Sequence, residues 1–188
     1  TRRRQQRRAG SPAEIADDVA RVVSAARAKG YRASGLFQVG QSVVGVANSR
    51  GLWGWDAETE ADYSTTVHGP AGSGKAAQSQ SAHERLDVAD LARTAVEGAL
   101  MGQDPRPIEP GDHTVIFEPL AMHGLLGFLA WAMNAREADE GSSVFAGTID
   151  QRLLHPLAGL RLDTDDPELP APTMGQHGLA VEAVRWVE

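Results

Sequence analysis

The residues most suggestive of chemistry are Gly69-Pro70-Ala71-Gly72-Ser73-Gly74-Lys75-Ala76, which carry the spacing of a phosphate-binding loop and follow a plausible strand. In such a loop backbone amides cradle phosphate oxygens, the lysine reaches the outer phosphate, and a following serine or threonine holds magnesium. Position 76 is alanine, so the metal would lose a ligand. The 77–83 run, Ala-Gln-Ser-Gln-Ser-Ala-His, is a poor opening for the buried helix such a loop requires. The segment 69–82 therefore reads as a loop or flexible hairpin tip.

His83-Glu84-Arg85-Leu86-Asp87 begins like a zinc-protease helix, in which two histidines one turn apart bind metal and the glutamate activates water. The second histidine is missing, and Asp87 suits the N-cap of a following helix. His123 lies on a very apolar stretch five residues after Glu118, without a second histidine or carboxylate on its face, and reads as a packed residue. His113, His155 and His177 are scattered. Asp163-Thr164-Asp165-Asp166-Pro167-Glu168 has the start of a calcium loop, but Glu168 takes the place of the turn glycine and Met174 that of the closing glutamate. No Ser or Thr sits in a nucleophile elbow. With no cysteine there is no thiol nucleophile, disulfide framework or cysteine-bound metal. The residues thus offer no catalytic, metal or cofactor-binding set.

The elements that would position these residues are legible from capping and periodicity. Ser11-Pro12-Ala13-Glu14 supplies an N-cap, a first-position proline and an early acid before Ile15, Val19, Val22, Val23 and Ala26, so a helix is predicted over 12–29, closed by Gly30. Stretches 35–40 and 42–48, the turn Ser49-Arg50-Gly51, and Leu52, Trp53, Trp55, Tyr63, Thr65 and Val67 read as an antiparallel meander. Asp87 then caps an amphipathic helix whose stripe is Val88, Leu91, Ala92, Ala95, Val96 and Leu100. A stiff Pro-rich connector, 104–112, separates a 12–103 α+β region from a 113–188 region. The latter opens on a short strand, 114–117, and a helix from Pro119 that is apolar on every side, with Leu125, Phe128, Leu129 and Trp131. Such a helix is either buried or faces a partner. A strand is expected near 157–163, an exposed loop at 165–173, and a strand cut short at 184–188, which suggests a processed or truncated segment.

Composition bounds the class. The apolar share of 41% is that of a globular chain, and the net charge of −7 argues against a broad nucleic-acid face. Arg2, Arg3, Arg4, Arg7 and Arg8 form a basic tail over 1–11, read as a solvated end. No apolar run approaches the roughly 20 residues needed to cross a bilayer. The absence of cysteine fits a reducing cytoplasm, so a cytoplasmic protein without a membrane partner is expected.

Several segments taken in order resemble the TldD/PmbA family, known as modulators of DNA gyrase and as peptidases. Val43-Val44-Gly45-Val46-Ala47-Asn48-Ser49-Arg50-Gly51-Leu52 is similar to the family's strand ending in an Asn-Ser-x-Gly turn. The glycine-rich tip at 69–76, the Asp-led helix over 86–100, Thr114-Val115-Ile116-Phe117-Glu118-Pro119, the Ser turn at 140–147 and the Asp-Asp-Pro loop follow in family order. The resemblance implies an α+β fold, a curved antiparallel sheet flanked by helices, and places the chain in the family's N-terminal and central part.

In the TldD branch the central helix carries a His-Glu-x-x-x-His zinc motif, whereas here the corresponding stretch reads Phe117-Glu118-Pro119-Leu120-Ala121-Met122-His123. That is the pattern of the PmbA, or TldE, branch, and no ligand carries over to His123. The resemblance implies a non-catalytic subunit without its own cofactor, paired with a TldD-type subunit or a second copy. The partner's zinc would cut unfolded peptides, in proteolysis and in peptide maturation. Leu125, Phe128, Leu129 and Trp131 are the expected partner contacts. A peptide-binding module acting alone is the alternative.

Overall fold

The computed structural model describes residues 10–164, 166, 171–175 and 177–187. The basic cluster and positions 165, 167 and 168 of the acidic loop lie outside the described residues.

Helix α1 (Pro12–Arg27) begins where Ser11 and Glu14 satisfy each other's backbone: the Ser11 amide donates to Glu14 Oε2 at 2.7 Å, and the Glu14 amide to Ser11 Oγ at 3.3 Å. This closes two of the amides a helix start leaves unpaired, worth about 1 kcal/mol. Three strands follow, β1 (Arg32–Ala47), β2 (Trp53–His68) and β3 (Ser73–Gln80), antiparallel in the order β1-β2-β3. All sixteen β1 residues pair with β2 without a bulge, from Arg32 opposite His68 to Ala47 opposite Trp53. A short 3₁₀ turn, His83–Arg85, leads into α2 (Val88–Met101), whose N-cap Asp87 accepts from the Asp90 amide at 2.9 Å.

Both helices cover one face of this sheet. Residues 61, 63, 65 and 67 of β2 alternate inward, and Tyr63 and Val67 pack with Val22 and Ala26 of α1 and Leu91, Ala95 and Val96 of α2. The period-two burial of a strand and the stripes of two amphipathic helices meet in one apolar core.

The expected hairpin tip at 69–82 is corrected here. Only 69–72 turns, and Ser73–Gln80 is a strand paired with β2, from Ser73 opposite His68 to Gln80 opposite Ala61. Its glycine and alanines, poor strand formers in isolation, are placed by the helix beneath: Gly74 and Ala76 are buried against α2. A Cβ on Gly74 would collide with the Ala95 carbonyl oxygen and the Ala99 amide, and one on Gly98 would lie 3.0 Å from Gly74 Cα. Close backbone approach has overridden β-propensity.

The chain divides into two compact units, Thr1–Pro107 with Arg161–Trp186, and Ile108–Leu160 with Val187–Glu188. In the first unit a late segment returns to the hairpin end. The Thr173 amide and hydroxyl donate to Asp56 Oδ2 at 2.9 and 2.8 Å, and Met174 bridges to Ala180. Ala171 is buried, so this part of the 165–173 stretch is not the exposed loop expected.

The second unit holds α3 (Pro119–Ala132) and the short α4 (Ala135–Asp139), followed by a turn in which the Ser143 hydroxyl donates to the Ala132 carbonyl. Residues 114–117 form no strand, contrary to the one expected from the β-rich sequence there; every one of them is exposed. A β-branched run forms a strand only when a neighbour supplies its hydrogen bonds. Strands β4 (Leu160–Leu162) and β5 (Val184–Val187) pair as a two-stranded ribbon, shorter at β4 than the 157–163 expected.

Candidate functional site

Among the described residues no group of three or more His, Asp or Glu side chains stands close enough to hold a metal ion. Lys75 is an exposed residue on β3 opposite Thr66, and the glycines around it turn a hairpin and admit α2. A phosphate cradle needs those amides free at the mouth of a helix; here Ser73–Gln80 is a strand beside β2. His123 is exposed on α3.

The structure brings together a set the sequence does not announce. His83 Nε2 lies 2.7 Å from Asp18 Oδ2, joining the 3₁₀ turn to α1, with both side chains almost buried. Asp18 Oδ1 also meets Arg21 Nη1 at 3.4 Å. Phe37 contacts the His83 ring at 5.5 Å and stacks on Tyr63, its register partner on β2, with centroids 4.6 Å apart. A Cβ on Gly10 would sit 2.7 Å from His83 Nδ1, so the chain just before α1 can pass the ring only without a side chain. Burial raises the Tyr63 pKa above 10.0; the Thr65 hydrogen bond opposes this and the Asp18 charge adds to it.

This cluster borders a hollow of about 80 Å³ between α1 and the sheet, lined by Val19, Val22, Val23, Ala33, Ser34, Gly35, Phe37, Tyr63 and Thr65. Three valines, Ala33 and the rings of Phe37 and Tyr63 supply most of this lining, beside the hydroxyl-bearing Ser34 and Thr65. The Asp18–His83 pair itself is a tie between elements: its ring is covered and the bonded nitrogen is taken. The sequence could not have signalled it, because its members lie 65 residues apart.

The second feature is α3. Its mean hydropathy is the highest of the helices and none of its residues is buried. Phe128 and Trp131 are 74% and 69% exposed, Leu125 is exposed, and Leu129 is half-buried. Gly124 and Gly127 open onto empty space. The burial expected as one option for this helix is absent within its unit. No helix among the described residues is long and apolar enough to cross a membrane.

Residues 9–103 match the signature of the PmbA/TldA metallopeptidase central domain, and residues 110–188 that of its C-terminal domain. The resemblance read from the sequence placed the chain in the N-terminal and central part; the matched signatures are the central and C-terminal ones.

Two solved structures share the fold. One is a candidate modulator of DNA gyrase from Bacteroides thetaiotaomicron, at TM-score 0.76 and 18% identity over 94% of this chain and 42% of that one. The other is a candidate modulator of a DNA gyrase from Thermotoga maritima, at TM-score 0.79 and 15% identity over 100% of this chain and 46% of that one. The chain thus spans less than half the length of either. No curated protein matches the sequence. With both signatures in consecutive order across an α+β fold of helices on an antiparallel sheet, the chain belongs to the PmbA/TldD metallopeptidase-related family.

Proposed function

We propose that the protein is a PmbA/TldE-like subunit that holds no metal of its own and works with a zinc-bearing TldD-type subunit to cut unfolded peptides. The observation that carries this reading is α3, a helix apolar on all sides with no buried residue. An apolar surface of that kind marks a contact with another protein surface. Leu125, Phe128, Leu129 and Trp131 are its anchors, since large aromatic and aliphatic side chains dominate interface energies. The stretch Phe117-Glu118-Pro119-Leu120-Ala121-Met122-His123, without a pair of histidines, supports assigning the zinc to the partner. The working place is the cytoplasm.

The test mixes the full-length protein with a zinc-bearing TldD-type subunit and follows cleavage of an unfolded peptide. Cleavage is expected from the mixture only. Chelator-sensitive cleavage by this protein alone would overturn the reading. A second reading, a peptide binder that needs no partner, draws on the edge of β1, which meets no strand among the described residues; retention of peptides by the isolated chain favours it.

A further inference from the structure

We propose that Met174 is a redox-sensitive latch: hydrogen peroxide converts its thioether to the sulfoxide, and the sulfoxide releases residues 173–175 and 178–181 from the end of the β1–β2 hairpin, which they strap. The inference does not depend on the reading of the protein as a peptidase subunit.

The first observation is the strap. The Val181 amide donates to the Thr173 carbonyl at 3.0 Å, the Gly175 amide to the Leu179 carbonyl at 2.9 Å, and Met174 bridges to Ala180. This small antiparallel loop meets the hairpin end at three points. At the first, Asp56 Oδ2 accepts from both the amide and the hydroxyl of Thr173. At the second, Gly178 has a left-handed φ of 76°, and a Cβ there would stand 3.0 Å from Leu52 Cδ2 and 3.1 Å from Val46 Cγ1. At the third, Met174 Sδ would stand 2.9 Å from a Cβ on Gly54, so the sulfur rests against bare backbone. Both sides of the contact lie in one compact unit, yet the hairpin falls within the central-domain match and the strap within the C-terminal one. The strap therefore ties two family domains together.

The second observation is the chemistry at the third point. Of the residues in these contacts only Met174 carries a group that a mild oxidant changes, and the chain has no cysteine to react ahead of it. Met174 is half-buried, so a small peroxide reaches its sulfur. In the reaction a sulfur lone pair attacks one peroxide oxygen, the O–O bond breaks, the S–O bond forms and the other oxygen leaves as water. Sulfur loses two electrons and the peroxide gains them. The product is longer by one atom and strongly polar where the thioether was apolar. Since the sulfur already stands against Gly54, the new oxygen either overlaps the strand or forces the side chain to turn away. A polar group held half out of water without a partner is also unfavourable. The two Thr173 bonds are only part-buried, so water can replace them once the sulfur has left.

The experiment treats the whole protein with hydrogen peroxide, maps the sulfoxide by peptide mass spectrometry and follows amide hydrogen exchange at Thr173–Gly175. As Met174 converts, exchange there is expected to rise about tenfold, the scale of one lost contact in a local opening equilibrium. Methionine sulfoxide reductase is expected to restore the starting rate. Met174→Leu keeps the bulk without the sulfur and should not respond to peroxide. Met101→Leu, at a position 85% exposed, should respond as the parent does. Met174→Gln places a polar group there without an oxidant and should exchange fast from the start.

Full conversion of Met174 with unchanged exchange would overturn the inference. So would a Met174 that resists peroxide until the protein unfolds, a response that persists in Met174→Leu, or a Met174→Gln strap as protected as the parent's. Every reading is made on this protein alone, so the outcome is separate from whether a zinc-bearing subunit binds.

Discussion

Asp18 Oδ2 and His83 Nε2 stand 2.7 Å apart, joining the second turn of α1 to the turn that precedes α2. Each is the other's partner in a place with little water, so removing one leaves the other short of a hydrogen bond. Asp18→Ala and His83→Ala are each expected to cost about 1–3 kcal/mol. The double variant should cost less than their sum, with at least about 0.5 kcal/mol of coupling in a denaturant-unfolding cycle. Strict additivity would mean the pair contributes nothing as a pair.

Tyr63 offers a pH readout of the same cluster. Its pKa is raised by burial, so the folded state holds the phenolic proton more tightly than the unfolded state does. The stability this confers is complete below about pH 10 and is lost as pH rises through the folded value. Ultraviolet titration should show Tyr63 ionising later than an exposed tyrosine. Asp18→Asn should bring it earlier by removing a nearby negative charge, and Thr65→Val should delay it by removing an opposing hydrogen bond.

Gly74 of β3 is a steric requirement, and Lys75 is read as an exposed strand residue outside any nucleotide site. Gly74→Val is expected to destabilise by about 1–3 kcal/mol or more, through overpacking against the α2 backbone. Lys75→Ala should stay within about 0.5 kcal/mol of the parent, as exposed substitutions do. Neither ATP nor magnesium should move the melting temperature. A nucleotide-dependent rise abolished by Lys75→Ala would reverse this assignment.

On α3, Phe128→Ala and Trp131→Ala are expected to leave unfolding of the isolated protein within about 0.5 kcal/mol, because neither side chain is buried. The affinity of each variant for the proposed zinc-bearing subunit should fall about tenfold, the loss typical of an interface anchor. Isothermal titration of the two subunits separates the outcomes, and unchanged affinity would move the contact elsewhere.

What could be read in the sequence follows the range of the forces involved. Ser11, Glu14 and Asp87 act on backbone amides within one turn, so both core helices and their starts were legible. The turn at 49–51 and strands on either side of it were legible, but β1 runs unbroken through Gly40 and Gln41, where two stretches, 35–40 and 42–48, were expected. β3 was not legible, since Gly74 and Ala76 become strand residues only through α2, about twenty positions later. Residues 114–117 erred the other way: their local preference is for strand, and the neighbour that would realise it is absent among the described residues. The Asp18–His83 pair and the hollow beside Val19 arise only after α1, β1 and the 3₁₀ turn are brought together.

The β3–α2 contact has a consequence for how short motifs are interpreted. A phosphate group and a passing helix make the same demand on a backbone, namely that nothing project beyond Cα. Glycines at 72 and 74 answer the helix, because Gly72 meets Gly102 and Gly74 meets Gly98 at distances only bare backbone permits. Spacing alone is therefore a degenerate code for two kinds of neighbour. The discriminating letter is the hydroxyl that magnesium would require, and position 76 spells alanine.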